Sequence, residues 1–201
     1  MLFALAVLFA LLLAIYVLTE PDANQPATPR PLLYVIEGLD AADITLVRVE
    51  RTADSTSTLL ERDAAGDWVI ASTVNYREAP ADDGTMQELL TDQQAAQRVA
   101  GYLTTLTRRE GFSAQEGDAD LEGFGLLPGP RYVVRFETRD GTSRTLDIGA
   151  TNPQGNAYYV RVRGEPTIYL ALKPAIDGLI GIIEAPPYLA QTPTPSPAES
   201  D

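Results

Sequence analysis

Alternation of bulky apolar residues with polar ones over residues 131–172 constrains the fold more than any other feature of the chain. In the segment RYVVRFET, Tyr132, Val134 and Phe136 recur at every second position, and AYYVRVR at residues 157–163 has the same period. Successive side chains of a strand point to opposite faces, so this period is typical of strands with one buried face. The opposite face carries Arg135, Glu137, Arg161 and Arg163. The stretch predicts four short strands in an antiparallel meander.

Glycine-containing turns separate these predicted strands. Arg139-Asp140-Gly141 predicts a hairpin turn, because glycine readily adopts the positive φ that tight hairpin turns require. Residues 164–166, Gly-Glu-Pro, close a second hairpin. The connection at residues 149–156 is longer than a tight turn needs.

The segment before this meander is also rich in strand patterns. LLYVIE at residues 32–37 and DITLVRVE at 43–50 each predict a strand. STLLER and GDWVIA predict a hairpin whose turn lies at residues 63–66. Trp68, the only tryptophan, is expected to anchor the core, because apolar residues follow it directly.

Two helices complete the predicted fold. The first runs over residues 93–109, where Thr91 or Asp92 caps its start, two arginines suit its C-terminal dipole and Gly111 ends it. Its apolar face comprises Ala95, Ala96, Val99, Tyr102, Leu103 and Leu106. A short last helix begins at Pro174. The predicted fold class is α+β: an N-terminal transmembrane helix, then antiparallel β-sheets with one long crossing helix and a short C-terminal helix.

Residues 2–18 carry no charge and form an apolar segment. As a helix they reach about 26 Å, within the workable range for a membrane span. A cleaved signal peptide is the alternative, but no Lys or Arg precedes the segment and no small-residue cleavage pattern follows it. We therefore predict a signal-anchor at residues 1–18. Glu20 and Asp22, directly after it, favour an extracytoplasmic position for the rest of the chain.

The remaining domain boundaries follow from proline content and the loss of apolar periodicity. Residues 19–31 contain four prolines and predict an extended linker. Residues 32–185 form the α+β extracytoplasmic domain. Residues 186–201 predict a disordered proline-rich tail.

Composition excludes several chemistries. The chain has no cysteine and no histidine, so it forms no disulfide, thiolate zinc site or imidazole metal site, and no Cys or His acts as nucleophile or base. The missing cysteine also excludes a lipid-modified lipoprotein. The net charge of −13 and the absence of a basic run argue against nucleic-acid binding.

The remaining catalytic and metal patterns are incomplete. Asp118 to Gly123 imitates the first half of a calcium-binding EF-hand loop, but Gly129 stands where the bidentate glutamate is required. The chain contains no G-x-S-x-G motif. We expect no enzymatic activity, no cofactor and no metal.

One loop is a candidate for recognition. It comprises Asn152, Gln154, Asn156, Tyr158 and Tyr159. Exposed tyrosine beside flexible amides is common in surfaces that bind protein or sugar. The alternative is an ordinary irregular hairpin loop with one tyrosine buried.

A set of short motifs spread along the chain resembles a known family. They are Leu121, Phe124-Gly125-Leu126 with a proline shortly after, Asp147-Ile148-Gly149, Tyr159-Val160 and Ile168-Tyr169. Over about residues 33–184 the chain resembles the bacterial domain of unknown function 4340. This resemblance implies a membrane-anchored protein related to auxiliary proteins of gliding motility and ABC transporters. It implies an accessory or binding role and brings no catalytic residues.

The sequence thus predicts a membrane-anchored extracytoplasmic accessory or protein-binding domain of the bacterial envelope. Its expected partners are the lipid bilayer, through residues 1–18, and an envelope or ABC-type transporter protein. The alternative is a glycan or small-solute binding module that uses the loop from Asn152 to Tyr159.

Overall fold

A computed structural model describes residues 31–74, 90–115, 117 and 120–189 of the chain. In this part of the chain the strands are β1 (Ile44–Arg51), β2 (Thr56–Arg62), β3 (Trp68–Val74), β4 (Ala114–Gln115), β5 (Tyr132–Thr138), β6 (Ser143–Thr151), β7 (Ala157–Val162) and β8 (Thr167–Leu172). The helices are α1 (Gln93–Thr104) and α2 (Lys173–Glu184). The predicted α+β class, with an antiparallel sheet and two helices, is confirmed.

All eight described strands belong to one antiparallel sheet, in the order β3-β2-β1-β5-β6-β7-β8-β4. The predicted meander is its β5 to β8 half, and the predicted β2–β3 hairpin lies at the other end. β1 joins the two halves by pairing with β5, so that Val47 lies opposite Phe136 and Val49 opposite Val134. A single sheet therefore replaces the several sheets that the sequence suggested.

Both helices pack on one face of this sheet and bury its apolar side chains. Val47, Val134, Leu146 and Ile148 are fully buried there, in one cluster with residues of α1 and α2. Each such side chain contributes about 1.5–3 kcal/mol by leaving water. Trp68 is 1% exposed, as its predicted role as a core anchor requires.

The predicted long crossing helix is wrong, because α1 ends at Thr104 instead of Arg109. Beyond Leu106 the backbone is extended: the N–H of Arg108 donates to Leu33 O at 2.7 Å, and the N–H of Arg109 donates to Leu170 O at 2.7 Å. The bonds to Leu33 and to Leu170 of β8 satisfy these backbone groups, so no further turn of helix is needed.

The segment LLYVIE at residues 32–37 is not a strand, since it makes only the single bridge between Tyr34 and Thr107. At the other end of the domain, residues 186–189 are hydrogen-bonded to the fold. Tyr188 bridges Thr91, and the N–H of Leu189 donates to Leu90 O at 2.8 Å.

No helix among the described residues is long and apolar enough to cross a membrane. The predicted signal-anchor at residues 1–18 lies outside the described residues, as do residues 19–30 of the predicted linker and residues 190–201 of the predicted tail.

Candidate functional site

The second face of the sheet, opposite the helices, is covered unevenly. At β7, Phe112 and Phe124 pack on Tyr159, with the rings of Phe124 and Tyr159 stacked at 4.1 Å. At β1 and β5, Arg48 and Arg135 keep 45% and 54% of their side-chain surface exposed. The polar side chains that β1 and β5 place on this face are thus exposed to solvent.

Strand register aligns three arginines on this exposed part. Arg48 lies directly opposite Arg135, and Arg135 opposite Thr145. The N–H of Arg163 donates to Thr145 O at 2.8 Å, which continues the alignment past the end of β7. We call Arg48, Arg135 and Arg163 the arginine row. The row borders a shallow cleft of about 270 Å³ whose walls also include Glu50, Val133 and Thr145.

Each arginine of the row has a carboxylate beside it. Arg48 lies 3.7 Å from Glu50, and Arg135 lies 2.8 Å from Glu137. The first pair lies within β1 and the second within β5; both arginines are exposed and both glutamates partly exposed, and ion pairs open to solvent contribute about 0–1 kcal/mol. These carboxylates therefore hold the row only weakly.

Asp147 is a buried carboxylate that anchors one end of the row. Its carboxylate is 1% exposed and accepts hydrogen bonds from Arg161 at 3.0 Å and from Arg163 at 2.5 Å. A buried carboxylate is stable only when it is paired and hydrogen-bonded. The pairing fixes the position of Arg163, whose side chain is 56% exposed.

Like charges that face each other across a strand pair are destabilising by up to about 1 kcal/mol. Arg48 and Arg135 form such a pair at the centre of the sheet. Two guanidinium groups thus lie side by side on the exposed face, and this arrangement suits the binding of an anionic group.

The candidate recognition loop does not present its amides on one surface. Asn152 is 3% exposed, and its amide donates to Gln154 Oε1 at 2.8 Å and to Asn156 Oδ1 at 3.0 Å. Its side-chain oxygen accepts from the N–H groups of Asn156 and Ala157. Asn152 therefore organises the turn from inside, while Gln154 and Asn156 are exposed at its tip.

The two tyrosines of the loop lie on opposite faces of β7. Tyr158 is 7% exposed on the helix side, and its hydroxyl donates to Asp177 Oδ1 at 2.9 Å. Burial, and then the Asp177 hydrogen bond, raise the pKa of Tyr158 above its ordinary value. Tyr159 lies on the second face with Phe124. The five residues of the candidate recognition loop therefore do not share one surface. Their role in binding stays a prediction.

Two of the motif segments named above pack against each other. The N–H of Ala150 donates to Phe124 O at 2.7 Å, and a Cβ added to Gly149 would lie only 2.1 Å from that oxygen. Gly125 has a φ of +66°, which favours glycine. These glycines therefore allow the loop before β5 to approach the backbone of β6.

A second, larger cavity of about 460 Å³ lies between the loop before β1 and the β5–β6 hairpin. Phe136 and Leu39 supply apolar surface, while Glu37, Asp43 and Arg144 supply charge. Its volume falls within the range of small-molecule sites. Among the residues that the structure describes, no cluster of acidic side chains could hold a metal ion.

Comparison with protein families decides the assignment. The family model described as "Domain of unknown function (DUF4340)" matches residues 72–179. The chain belongs to this family. The match runs from β3 into α2 and includes the packed motif segments, Asp147 and two members of the arginine row, whereas Arg48 lies before it. No curated protein and no solved structure matches the chain.

Sequence reasoning named Arg135, Arg161 and Arg163 as the polar phase of the strands but gave them no role. The sequence signal for a site was the positive charge of these three residues. Combining them with Arg48 into one row required the β1–β5 register, which no local pattern reveals.

Proposed function

We propose that this member of the DUF4340 family is a non-enzymatic accessory domain of the bacterial envelope that binds a partner protein. The observation that carries the proposal is the exposed arginine row, which lies on the sheet face opposite the helices. Arginine is enriched at protein interfaces and at their hot spots, where its planar guanidinium donates several hydrogen bonds at once.

The proposal includes an extracytoplasmic position at the membrane. Its support is the uncharged segment at residues 2–18, followed by Glu20 and Asp22. A transporter component of the ABC type is the partner class that the family resemblance suggests.

Site-specific photo-crosslinking in intact membranes tests the protein-binding function. A crosslinking amino acid at Thr145, inside the arginine row, should yield one reproducible adduct with an envelope protein. The same amino acid at Arg98, an exposed position on α1, is the matched control and should yield none. Equal adducts from both positions, or none from Thr145, would contradict the proposal.

A second candidate function is a glycan or small-solute binding module. The cavity of about 460 Å³ favours a small solute, and the exposed Gln154 and Asn156 favour a glycan. A solute library read by thermal shift should show stabilisation that Arg144→Gln removes and Arg98→Gln keeps. A glycan array should show signals that Gln154→Ala removes. Unchanged signals in the variants would exclude this function.

A further inference from the structure

We propose that the arginine row binds an extended acidic segment of a protein, a segment whose carboxylates replace Glu50 and Glu137 as partners of Arg48 and Arg135. This inference rests on the proposed protein-binding function and specifies the chemistry of the partner.

The dimensions of the row fit such a segment. Arg48 and Arg163 are separated by three strand spacings, from β1 through β5 and β6 to the end of β7. At about 4.8 Å per spacing the row is roughly 14 Å long. In an extended peptide, alternate side chains share a face, and residues i and i+4 lie about 14 Å apart. A segment with acidic residues at i, i+2 and i+4 therefore spans the whole row.

The donors needed for this exchange are present in the row. A guanidinium has five N–H donors, whereas one carboxylate accepts from at most two or three of them. Arg48 donates to Ser57 at 3.4 Å and lies 3.7 Å from Glu50, both at the long end of their ranges. Arg135 donates to Glu137 through one nitrogen at 2.8 Å. An incoming carboxylate can thus form a bidentate pair in place of a long contact at Arg48 and a single hydrogen bond at Arg135.

The charge of the chain favours a peptide segment over an anionic lipid surface. A membrane presents negative charge over a wide area, so it repels the whole acidic chain, whose net charge is −13. A short acidic segment contacts the row alone, and beyond about 8 Å the repulsion from the rest of the chain is screened at physiological salt.

Fluorescence anisotropy with the full-length chain in non-ionic detergent tests this inference. The probe is a labelled peptide of alternating glutamate and serine, and its matched control alternates glutamine and serine. The acidic peptide should bind, and its affinity should fall as salt is raised. The glutamine peptide should not bind.

Variants of the row then locate the binding. Arg48→Gln and Arg135→Gln should each weaken binding about tenfold, which corresponds to the loss of one charge-assisted hydrogen bond. Both arginines are exposed, so these variants should fold. Arg98→Gln removes the same charge from α1 and should bind like the original chain.

Removal of the competing carboxylate gives the sharpest test. Glu137→Gln should strengthen binding several-fold, because Arg135 then has no resident carboxylate at 2.8 Å. A fold defect would weaken binding and could not produce this gain. Unchanged or weaker binding in Glu137→Gln would overturn the inference.

Two further outcomes would also overturn it. One is binding of vesicles of phosphatidylglycerol that Arg48→Gln and Arg135→Gln abolish, since the occupant would then be a lipid. The other is absence of peptide binding while Thr145 still crosslinks an envelope protein. That result would leave the protein-binding function intact and remove only the acidic segment.

Discussion

Burial, not distance, should decide what each ion pair of the second face contributes to stability. Asp147 accepts hydrogen bonds from Arg161 at 3.0 Å and is 1% exposed. Glu137 lies 2.8 Å from Arg135 but is 34% exposed. Both groups lie on one face of the sheet, Arg135 and Glu137 within β5 and Asp147 on β6 opposite Arg161 of β7, and Asp147 also accepts from Arg163 at 2.5 Å.

Asp147→Asn should lower the free energy of unfolding by about 3 kcal/mol. The reason is that Arg161, only 16% exposed, and Arg163 would keep their charges and lose the buried carboxylate that both bond to. Glu137→Gln should lower it by less than about 1 kcal/mol, because water screens and solvates Arg135 when its partner is removed.

Urea denaturation followed by tryptophan fluorescence measures both values. Trp68, the only tryptophan, is the first residue of β3 and is buried, and its indole N–H donates to Gln97 of α1 at 3.0 Å. Its emission therefore reports loss of the core. Equal destabilisation by the two substitutions would refute the argument, as would no effect of Asp147→Asn.

Two further predictions concern α2 and its contacts. Gly178→Ala should destabilise the fold relative to Gly181→Ala, because a Cβ at Gly178 would lie 2.3 Å from the Tyr102 ring, whereas nothing lies within 4 Å of a Cβ at Gly181. Gly181→Ala alone should stabilise by up to about 1 kcal/mol through helix propensity, and thermal unfolding of the pair measures the difference. The fold favours the neutral hydroxyl of Tyr158, so its pKa is higher in the folded protein than the value of about 10 in the unfolded chain. This contribution to stability is fully present below the unfolded pKa and is lost as pH rises through the folded pKa. Tyr158→Phe should therefore lose less stability between neutral and strongly alkaline pH in urea denaturation, and an unchanged pH dependence would contradict this assignment.

Strand pattern and turn chemistry sufficed to predict most of the sheet. The alternation around Phe136 gave the strands of the meander, and the hairpin turn at Gly141 has the expected positive φ of +83°. These features depend on residues that are close together in the chain, so they can be predicted from one sequence. The β1–β5 pairing joins residues about 90 positions apart, and nothing local specifies it.

The points at which local pattern misled about a group's surroundings have the same physical origin. Arg108 and Arg109 favour the end of a helix, but their backbone groups bond to Leu33 and Leu170 instead. The amide of Asn152 looked available for a ligand, yet the turn uses it internally. Whether a polar group faces solvent or a distant segment is decided by tertiary contacts, which a local pattern does not contain.

Competition at the arginine row tests the central claim most directly. Membranes that contain the chain with the photo-crosslinking amino acid at Thr145 are irradiated with and without the alternating glutamate–serine peptide. We predict that the peptide abolishes the adduct and that the glutamine–serine control leaves it unchanged. An adduct that persists at saturating acidic peptide would contradict the claim that the partner and the acidic segment share this face.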